Sequence, residues 1–517
     1  MYSLTFLSAQ QLAKDEEATC KILEYLPPVT YKILFNVAFR DNRIKLLYEL
    51  VKTWPYSELK FQMLLQTCWC CSRTSSKTCP ECQWTFVYDK LSRNKIDTVI
   101  LGVRSYIKKV ITEGSQQPPD RRLQQLDMTG LFGYRFFWDL RAMDLWISLI
   151  SQGRVYTSHE GTCDSQSQTR DQGAETSPIP MEFHVDLLVD LYMSPTFNDS
   201  LTPILQGNAN SPLRLICRDF YALYLSGCSA VNLLPLLDSL ALRRVDLIYS
   251  NITSIDIRWF MSQITTFHNL QSLKLPSFIK DEHWWENPEL KATFDLFVIA
   301  LNKLKNLKEI ALDDICLSGQ VEYLLGDLQC SLESLQLSFC SLTNRDLTYL
   351  AQSHYSTHLI KLDLTGNNIP EQLDSFLQLL KSLSTSLMWL NVTTCKIKDT
   401  DFYQTLPYLY SCTRLSHLGL CGNPLSSISI LTFLGPCHQK LRNLKAIGFP
   451  VFLDCCPNLT DDETFPIYLE DQMDKEKFFS VVNEMCQLPV LMGDSAIQYN
   501  FSRTFDIGDY FDLRKVV

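Results

Sequence analysis

The chain has 517 residues, 46% hydrophobic and 20% charged, which is a folding composition and not that of a disordered or membrane-embedded chain. Lys and Arg total 47 against 57 Asp and Glu, and the net charge of −10 excludes a general nucleic-acid binder, which needs a basic surface to neutralise phosphates. The opening MYSLTFLSAQQLAKDEE has no basic start, no long apolar run and no small-residue cleavage site, and no later stretch nears the roughly 18 uninterrupted apolar residues of a membrane span. The expectation is therefore a cytoplasmic chain without signal peptide or membrane contact, whose 19 cysteines stay reduced or hold metal.

Residues 1–120 read as a helical N-terminal region. KILEYLPPVTYKILFNVAF and RIKLLYELVKTW carry apolar residues at helical spacing, punctuated by Pro27, Pro28 and Pro55. Within this region lies a cysteine-rich segment, 68–82, reading CWCCSRTSSKTCPEC. Cys68 with Cys71 and Cys79 with Cys82 form two C-x-x-C pairs, and four such thiolates can close a tetrahedral zinc site. The seven residues between the pairs are few for a zinc ribbon, and a loop of free thiols between helices is the plainer alternative. A redox C-x-x-C is a third reading, but no strand–helix context precedes it. No other cofactor is expected.

Residues 121–240 read as degenerate repeats. RLQQLDM has the spacing L-x-x-L-x-apolar, and VDLLVDLYM and SPLRLICRDF read as two further strands. Between them, residues 151–180 have almost no large aliphatic side chain and read as a disordered loop.

Residues 241–452 decide the architecture. SLESLQLSFCSLT, HLIKLDLTGNNIP, SLMWLNVTTCKIK and RLSHLGLCGNPLS each fit L-x-x-L-x-L-x-x-N/C-x-L, the leucine-rich repeat. Their first leucines, Leu332, Leu359, Leu387 and Leu415, recur after 27, 28 and 28 residues. Weaker copies at ALRRVDL, NLQSLKL, NLKEIAL and NLKAIGF extend the array in both directions. The fold class is thus α/β, a leucine-rich repeat horseshoe solenoid of period about 28 with one strand and one helix per repeat. Alternate strand residues point into the solenoid, the Asn or Cys at the following turn bonds the backbone where the strand ends, and DLTYLAQS and LDSFLQLLKSL supply convex-side helices. One connection, Leu270 to Leu307, is about nine residues longer than the usual repeat and contains Trp284 and Trp285 in KDEHWWENPEL. Solenoid insertions often bind partners and Trp is an interface anchor, so both are candidate partner-binding residues, the alternative being packing onto the next repeat. Residues 453–517 close the chain as a C-terminal cap, with a helix at DKEKFFSVVNEMCQL and an aromatic, acidic tail, FDIGDYFDL.

The strand residues facing away from the core mark a candidate concave binding face: Asp246, Lys274, Asp313, Gln336, Asp363 and Asn391, with Trp389 and His417 on the preceding row. This small, polar surface suits a folded protein partner better than a small molecule, the alternative being a merely solvated face with binding on the convex side or the loops. G-x-x-x-x-G-K-S/T, H-E-x-x-H and G-x-S-x-G are all missing, and the eight His are scattered, so no enzyme is expected.

The ends of the chain carry a resemblance. LEYLPPVTYKILFNVAF followed by LYELVKTWPYSELKFQMLL resembles the N-terminal signature of the PRAME-like leucine-rich repeat family, resting on Leu26, Pro27, Leu34, Phe35, Ala38, Phe39, Trp54 and Pro55. LDMTGL at 126–131, SPLRLICRDF at 211–220, LRRVDL at 242–247 and GNPLS at 422–426 are similar to one branch of that family. The branch implies a cytosolic negative regulator of Toll-like-receptor and NF-κB signalling that binds the inhibitor-of-κB kinase beta subunit and interferes with kinase-complex assembly. The wider family implies an alternative, a substrate receptor of a cullin-2 ubiquitin ligase joined through elongin B and C. The nearest elongin-box candidate, QLAKDEEATC, keeps Leu12 but has Gln11 and Glu16 where the box takes a small residue and Cys. LPPVTYKILF also resembles an F-box, which would dock a Skp1-type adaptor.

Overall fold

A computed structural model of the chain describes residues 3–66, 93–113, 122–130, 183–207, 211–279, 281–456, 473–488, 491, 497–501 and 510–511. The chain divides into two units, the first Met1–Tyr221 with Leu236–Ala241, the second Ala222–Pro235 with Leu242–Val517. The residues 151–180 read as a loop lie outside the described ones. Among the described residues no helix is long and apolar enough to cross a membrane.

The first unit begins with helices α1 (Leu4–Lys14), α2 (Glu16–Ile22), α3 (Pro28–Arg40) and α4 (Ile44–Lys52). Ser3 caps α1 by accepting from Phe6 N, Asp15 caps α2 by accepting from Ala18 N, and Pro28 opens α3 with its φ already set for a helix. Their apolar faces converge on an aromatic cluster. Phe35 meets Trp54 and Phe61 edge-on, both at 5.9 Å, and Phe39 meets Phe61 at 5.2 Å. Trp54 is buried and donates its indole N–H to Glu58 O at 3.0 Å. That bond ties the cluster to strand β1 (Glu58–Lys60), which the helical reading of 1–120 missed because three residues are too few to show alternation. Helix α5 (Phe61–Gln66) follows, and α6 (Arg93–Glu113) lies on α4 so closely that a Cβ at Gly102 would meet Val51 Cβ at 2.8 Å.

Strands β2 (Gln125–Asp127) and β3 (Val185–Met193) run parallel to β1, with Leu59, Leu126 and Leu187 in register and fully buried. Both fall where the degenerate repeats were read. Helix α7 (Pro195–Gln206) leads to β4 (Leu213–Ser226), whose Arg218 pairs with buried Asp190 at 3.1 Å.

In the second unit the repeat becomes regular. After α8 (Gly227–Leu233) come β5 (Arg244–Asn251), β6 (Ser272–Leu275), β7 (Glu309–Asp313), β8 (Ser334–Ser338), β9 (Lys361–Asp363), β10 (Trp389–Asn391), β11 (His417–Gly419), β12 (Ala446–Gly448) and β13 (Gln498–Asn500). Each pairs parallel with the next and the sheet stays open, the arrangement that consecutive short repeats produce. The register sets Val245, Leu273, Ile310, Leu335, Leu362, Leu390, Leu418 and Ile447 in one buried column. This is the leucine column read from the sequence. Helices α9 (Ser254–Ile264), α10 (Pro288–Leu301), α11 (Val321–Leu325), α12 (Asn344–Gln352), α13 (Leu373–Leu383), α14 (Asp399–Ser411) and α15 (Ser427–Lys440) form the second layer, and α16 (Lys475–Cys486) is the cap helix. Strand β13 is a further rung that the sequence reading did not anticipate.

The polar ladder is as the spacing requires. Asn367 donates through Nδ2 to Leu337 O and Leu364 O, both at 2.8 Å, and its Oδ1 accepts from Leu342 N at 3.1 Å. Asn423 repeats this pattern one rung apart from Cys395, accepting from Cys395 N and Ile397 N at 3.0 Å each. The preceding residue turns into left-handed backbone in every clear repeat: Asp314, Phe339, Gly366, Thr394 and Gly422 have φ between 52° and 74°. Glycine adopts that conformation without strain, which is why two repeats read G-N. Asp346, itself buried, joins neighbours by accepting from Thr343 N of its own capping box and from Gly319 N and Val321 N of the repeat before.

Candidate protein-interaction surface

Opposite the helices, the second unit presents the strand face that was read as a binding surface. The two rows flanking the buried column lie on it. The row before the column contains Arg244, Glu309, Lys361, Trp389 and His417; the row after contains Asp246, Lys274, Gln336, Asp363 and Asn391.

The structure corrects the expectation that these residues face solvent. Asp246, Lys274, Asp363, Trp389 and Asn391 are buried; only Asp313, Gln336 and His417 keep partial exposure. The reason is a charged network across neighbouring strands. Glu309 is its hub, fully buried, accepting from Ser272 Oγ at 2.5 Å, Ser334 Oγ at 3.1 Å and Gln336 Nε2 at 3.0 Å. Arg244, Lys274 and Lys361 stand 3.8, 3.8 and 3.9 Å from its carboxylate. Lys274 also reaches Asp246 at 3.8 Å, and Asp363 accepts from Asn391 Nδ2 at 3.1 Å. Three cations therefore share the Glu309 carboxylate, one of them also reaching Asp246, and an ion-paired, hydrogen-bonded set escapes most of the cost of burying a lone ion. The Lys361 ammonium also lies 4.6 Å from the Trp389 ring centre, which explains why that Trp is buried among charges.

Two groups at the edge of the network titrate abnormally. Burial, then the Lys445 and Lys361 charges, hold the His417 imidazole down at about 4, so it is neutral at pH 7. Burial, then Asp314 and Asp363, push the Asp313 carboxyl up to about 6.

The end of the chain reaches the N-terminal end of these strands. Tyr510 and Phe511 cluster with Ile360 and Met388, and the Tyr510 hydroxyl donates to Glu333 Oε2 at 2.8 Å. The Phe511 ring lies under two guanidinium groups, Arg243 at 3.7 Å and Arg244 at 4.5 Å. The sequence showed the aromatic tail but not its seat, because the two are 177 residues apart.

At the opposite ends of the strands, Tyr224, Tyr249, Asn251, Pro276, Asp313 and Asp314 line an open groove of about 410 Å³. Tyr224 is 67% and Tyr249 50% exposed, and Phe339 nearby is also half exposed. Of these residues sequence reasoning singled out only Asp313; it passed over the tyrosines and Phe339 because it followed the rows nearest the leucine column.

The insertion resolves in favour of packing for one Trp. Trp284 is buried, its ring 4.2 Å from that of Phe294, and its indole donates to Cys316 O at 2.7 Å, so it anchors the insertion to the next repeat. Trp285 is half-buried and meets Trp284 edge-on at 5.8 Å. The candidate zinc ligands Cys68, Cys71, Cys79 and Cys82 lie outside the described residues; among those described, no group of His, Cys, Asp and Glu is placed to hold a metal. Burial pushes the thiols of Cys412 and Cys421 up to about 11 and 12, so they stay protonated and serve as packing groups.

Two family models match the chain, the PRAME N-terminal domain over residues 3–71 and the PRAME C-terminal domain over residues 208–456. Leucine-rich repeat-containing protein 14 of Mus musculus is 35% identical over 99% of this chain and 100% of its own length. The Homo sapiens protein of the same name is 34% identical over the same shares, and the Xenopus laevis protein 34% over 95% of each chain. A solved chain from a crystal structure of a TLR13–ssRNA13 complex aligns with 52% of this chain and 46% of its own at 12% identity and a TM-score of 0.23, too low to bear on the fold. A signature at the N-terminus, a repeat array in register and relatives aligned end to end agree: this chain belongs to the PRAME-like leucine-rich repeat family that includes leucine-rich repeat-containing protein 14.

Proposed function

We propose that this chain is a non-enzymatic, cytoplasmic protein-interaction scaffold that restrains NF-κB signalling downstream of Toll-like receptors. In this reading it binds the inhibitor-of-κB kinase beta subunit and hinders assembly of the kinase complex. The single observation that carries the reading is the end-to-end alignment with leucine-rich repeat-containing protein 14, the branch whose resemblance implies that role. Two features support a scaffold over an enzyme. The buried thiols are held protonated, and the exposed groove offers Tyr224 and Tyr249, side chains of the kind that anchor protein interfaces.

The test is affinity purification of the full-length chain from cytosol, followed by assay of the kinase complex with the chain added. Kinase subunits recovered without a ligase, with lower kinase activity and unchanged kinase abundance, is the expected result. Loss of capture on replacing Tyr224 and Tyr249 by Ala would place the contact at the groove. Capture of no kinase subunit would remove the reading.

The second reading is a ubiquitin-ligase substrate receptor, docked through elongin B and C with cullin-2 or through a Skp1-type adaptor. One observation favours it: Leu4, Tyr25 and Val29 on the N-terminal helical segments are largely exposed, as apolar docking residues would be. Co-purified adaptor and cullin, with loss of the partner when the cullin is active, would establish it instead.

A further inference from the structure

We propose that the N-terminal end of the strand face in the second unit is a recognition site for a peptide carrying adjacent Tyr and Phe, and that the chain's own Tyr510–Phe511 fills it in cis. The seat is made of Arg243, Arg244, Glu333, Ile360 and Met388, from strands β5 and β8 to β10 or the residues just before them. Its chemistry differs from that of the solenoid core. The leucine column is uniformly aliphatic, whereas the seat recognises a hydroxyl with a carboxylate and a ring with two guanidinium groups. Tyrosine, arginine and an adaptable Met are what interfaces use when one surface reads another. Burial is as deep as in a protein interface, with Tyr510 0% and Phe511 9% exposed.

The seat is also built to be emptied. Glu333 keeps Lys308 as an ion partner at 3.3 Å, and Arg244 keeps Glu309 at 3.8 Å, so departure of the tail strands neither charge. What departure uncovers is a small apolar patch, Ile360 and Met388, beside those charges. A partner segment with the same Tyr–Phe chemistry gains the patch only by displacing the tail, which makes the C-terminus a built-in competitor. A tethered competitor acts at a high effective concentration and raises the affinity a partner must reach. This inference goes beyond the scaffold reading and does not depend on which partner that reading names.

The test uses the full-length chain and a labelled synthetic peptide of its own residues 505–517, FDIGDYFDLRKVV. Fluorescence anisotropy is compared between wild type and the full-length variant carrying Tyr510→Ala and Phe511→Ala. Binding to the variant about 10-fold or more tighter than to wild type, lost when the peptide carries the same two substitutions, is the expected result. Equal binding to both proteins, or binding to neither, overturns the proposal. Hydrogen exchange on the unmodified wild-type chain decides the matter independently of how the variant folds. Amides at 510 and 511 exchanging by local release, well before those of β8 and β9, support a displaceable tail; exchange only together with those strands makes the contact a fixed part of the fold and overturns it.

Discussion

In the first unit the apolar contacts converge on a few large rings, linked by edge-on contacts of Trp54 with Phe35, Phe35 with Phe61 and Phe61 with Phe39, each within 6 Å. In the second, burial is spread along a column of medium-sized side chains, one from each of β5 to β12, with a parallel ladder of Asn and Cys at the turns. A converging core depends on each member, and losing one leaves a large hole. A repeating core depends on register: each rung is replaceable in kind but not in polarity, because a wrong side chain is passed to both neighbours.

The largest effect follows from polarity. Leu335→Asp or Leu362→Asp places a carboxylate in the column where only aliphatic groups are in reach, and a loss above about 4 kcal/mol is expected. Thermal melting should show the array unfolding at much lower temperature. A wild-type melting curve would mean that this column is not the core.

Next is Trp54→Ala, which removes the largest ring of the aromatic cluster and the bond to Glu58 O, at about 3–5 kcal/mol. The comparison is sharpened by where the loss falls. Urea titration followed by hydrogen exchange should show α3 to α6 opening early while amides of β7 to β11 keep their protection. Loss of protection in both regions at one urea concentration would break the contrast between the two cores.

Asn367→Ala comes third. It leaves Leu342 N and Leu337 O buried without their side-chain partner, and a loss of about 1–3 kcal/mol is expected. Faster exchange should stay within the rungs on either side of residue 367. No change in stability or exchange would show the ladder to be incidental to the turns.

These two cores also differ in how far the sequence disclosed them. Four consecutive matches in register left no freedom in the leucine column, and the same spacing located Asn367 and Asn423 as turn ladders. The first unit offered helical periodicity but nothing that paired Trp54 with Phe35, since convergence of rings is not periodic. The strand face was half legible. Alternation tells on which side of a sheet Asp246 or Lys274 lies, but not what lies over it, and a row of charges reads as solvated until its cross-strand partners are seen. Trp284 stayed open between an interface anchor and packing onto the next repeat for a similar reason: only Phe294 and Cys316 O, ten and 32 residues on, supply the pocket and the acceptor that decide for packing. The seat of Tyr510 on Glu333 was beyond any local reading.

The smallest effect is a pH dependence in which two side chains of the strand face, His417 at the start of β11 and Asp313 at the end of β7, oppose each other. The unfolded His417 imidazole takes up its proton near pH 6.5, but the folded one resists until about 4, so its contribution to stability is present above 6.5 and is lost as pH falls toward 4. Asp313 has the reverse sign: its folded carboxyl binds a proton near pH 6 and its unfolded one near 3.8, so its contribution is present below 3.8 and is lost as pH rises toward 6. Between about pH 4 and 6 the two slopes act against each other. Replacing His417 by Gln removes one of them. Relative to wild type, the variant's urea midpoint should therefore rise as the pH is lowered through that window, and the difference cancels every other carboxylate in the chain. Asp313→Asn should shift the midpoint difference the other way, falling on acidification. Both effects are small because each group keeps part of its hydration. A midpoint difference that stays constant with pH in either variant would mean that the strand face around that residue is more open to water than its burial implies.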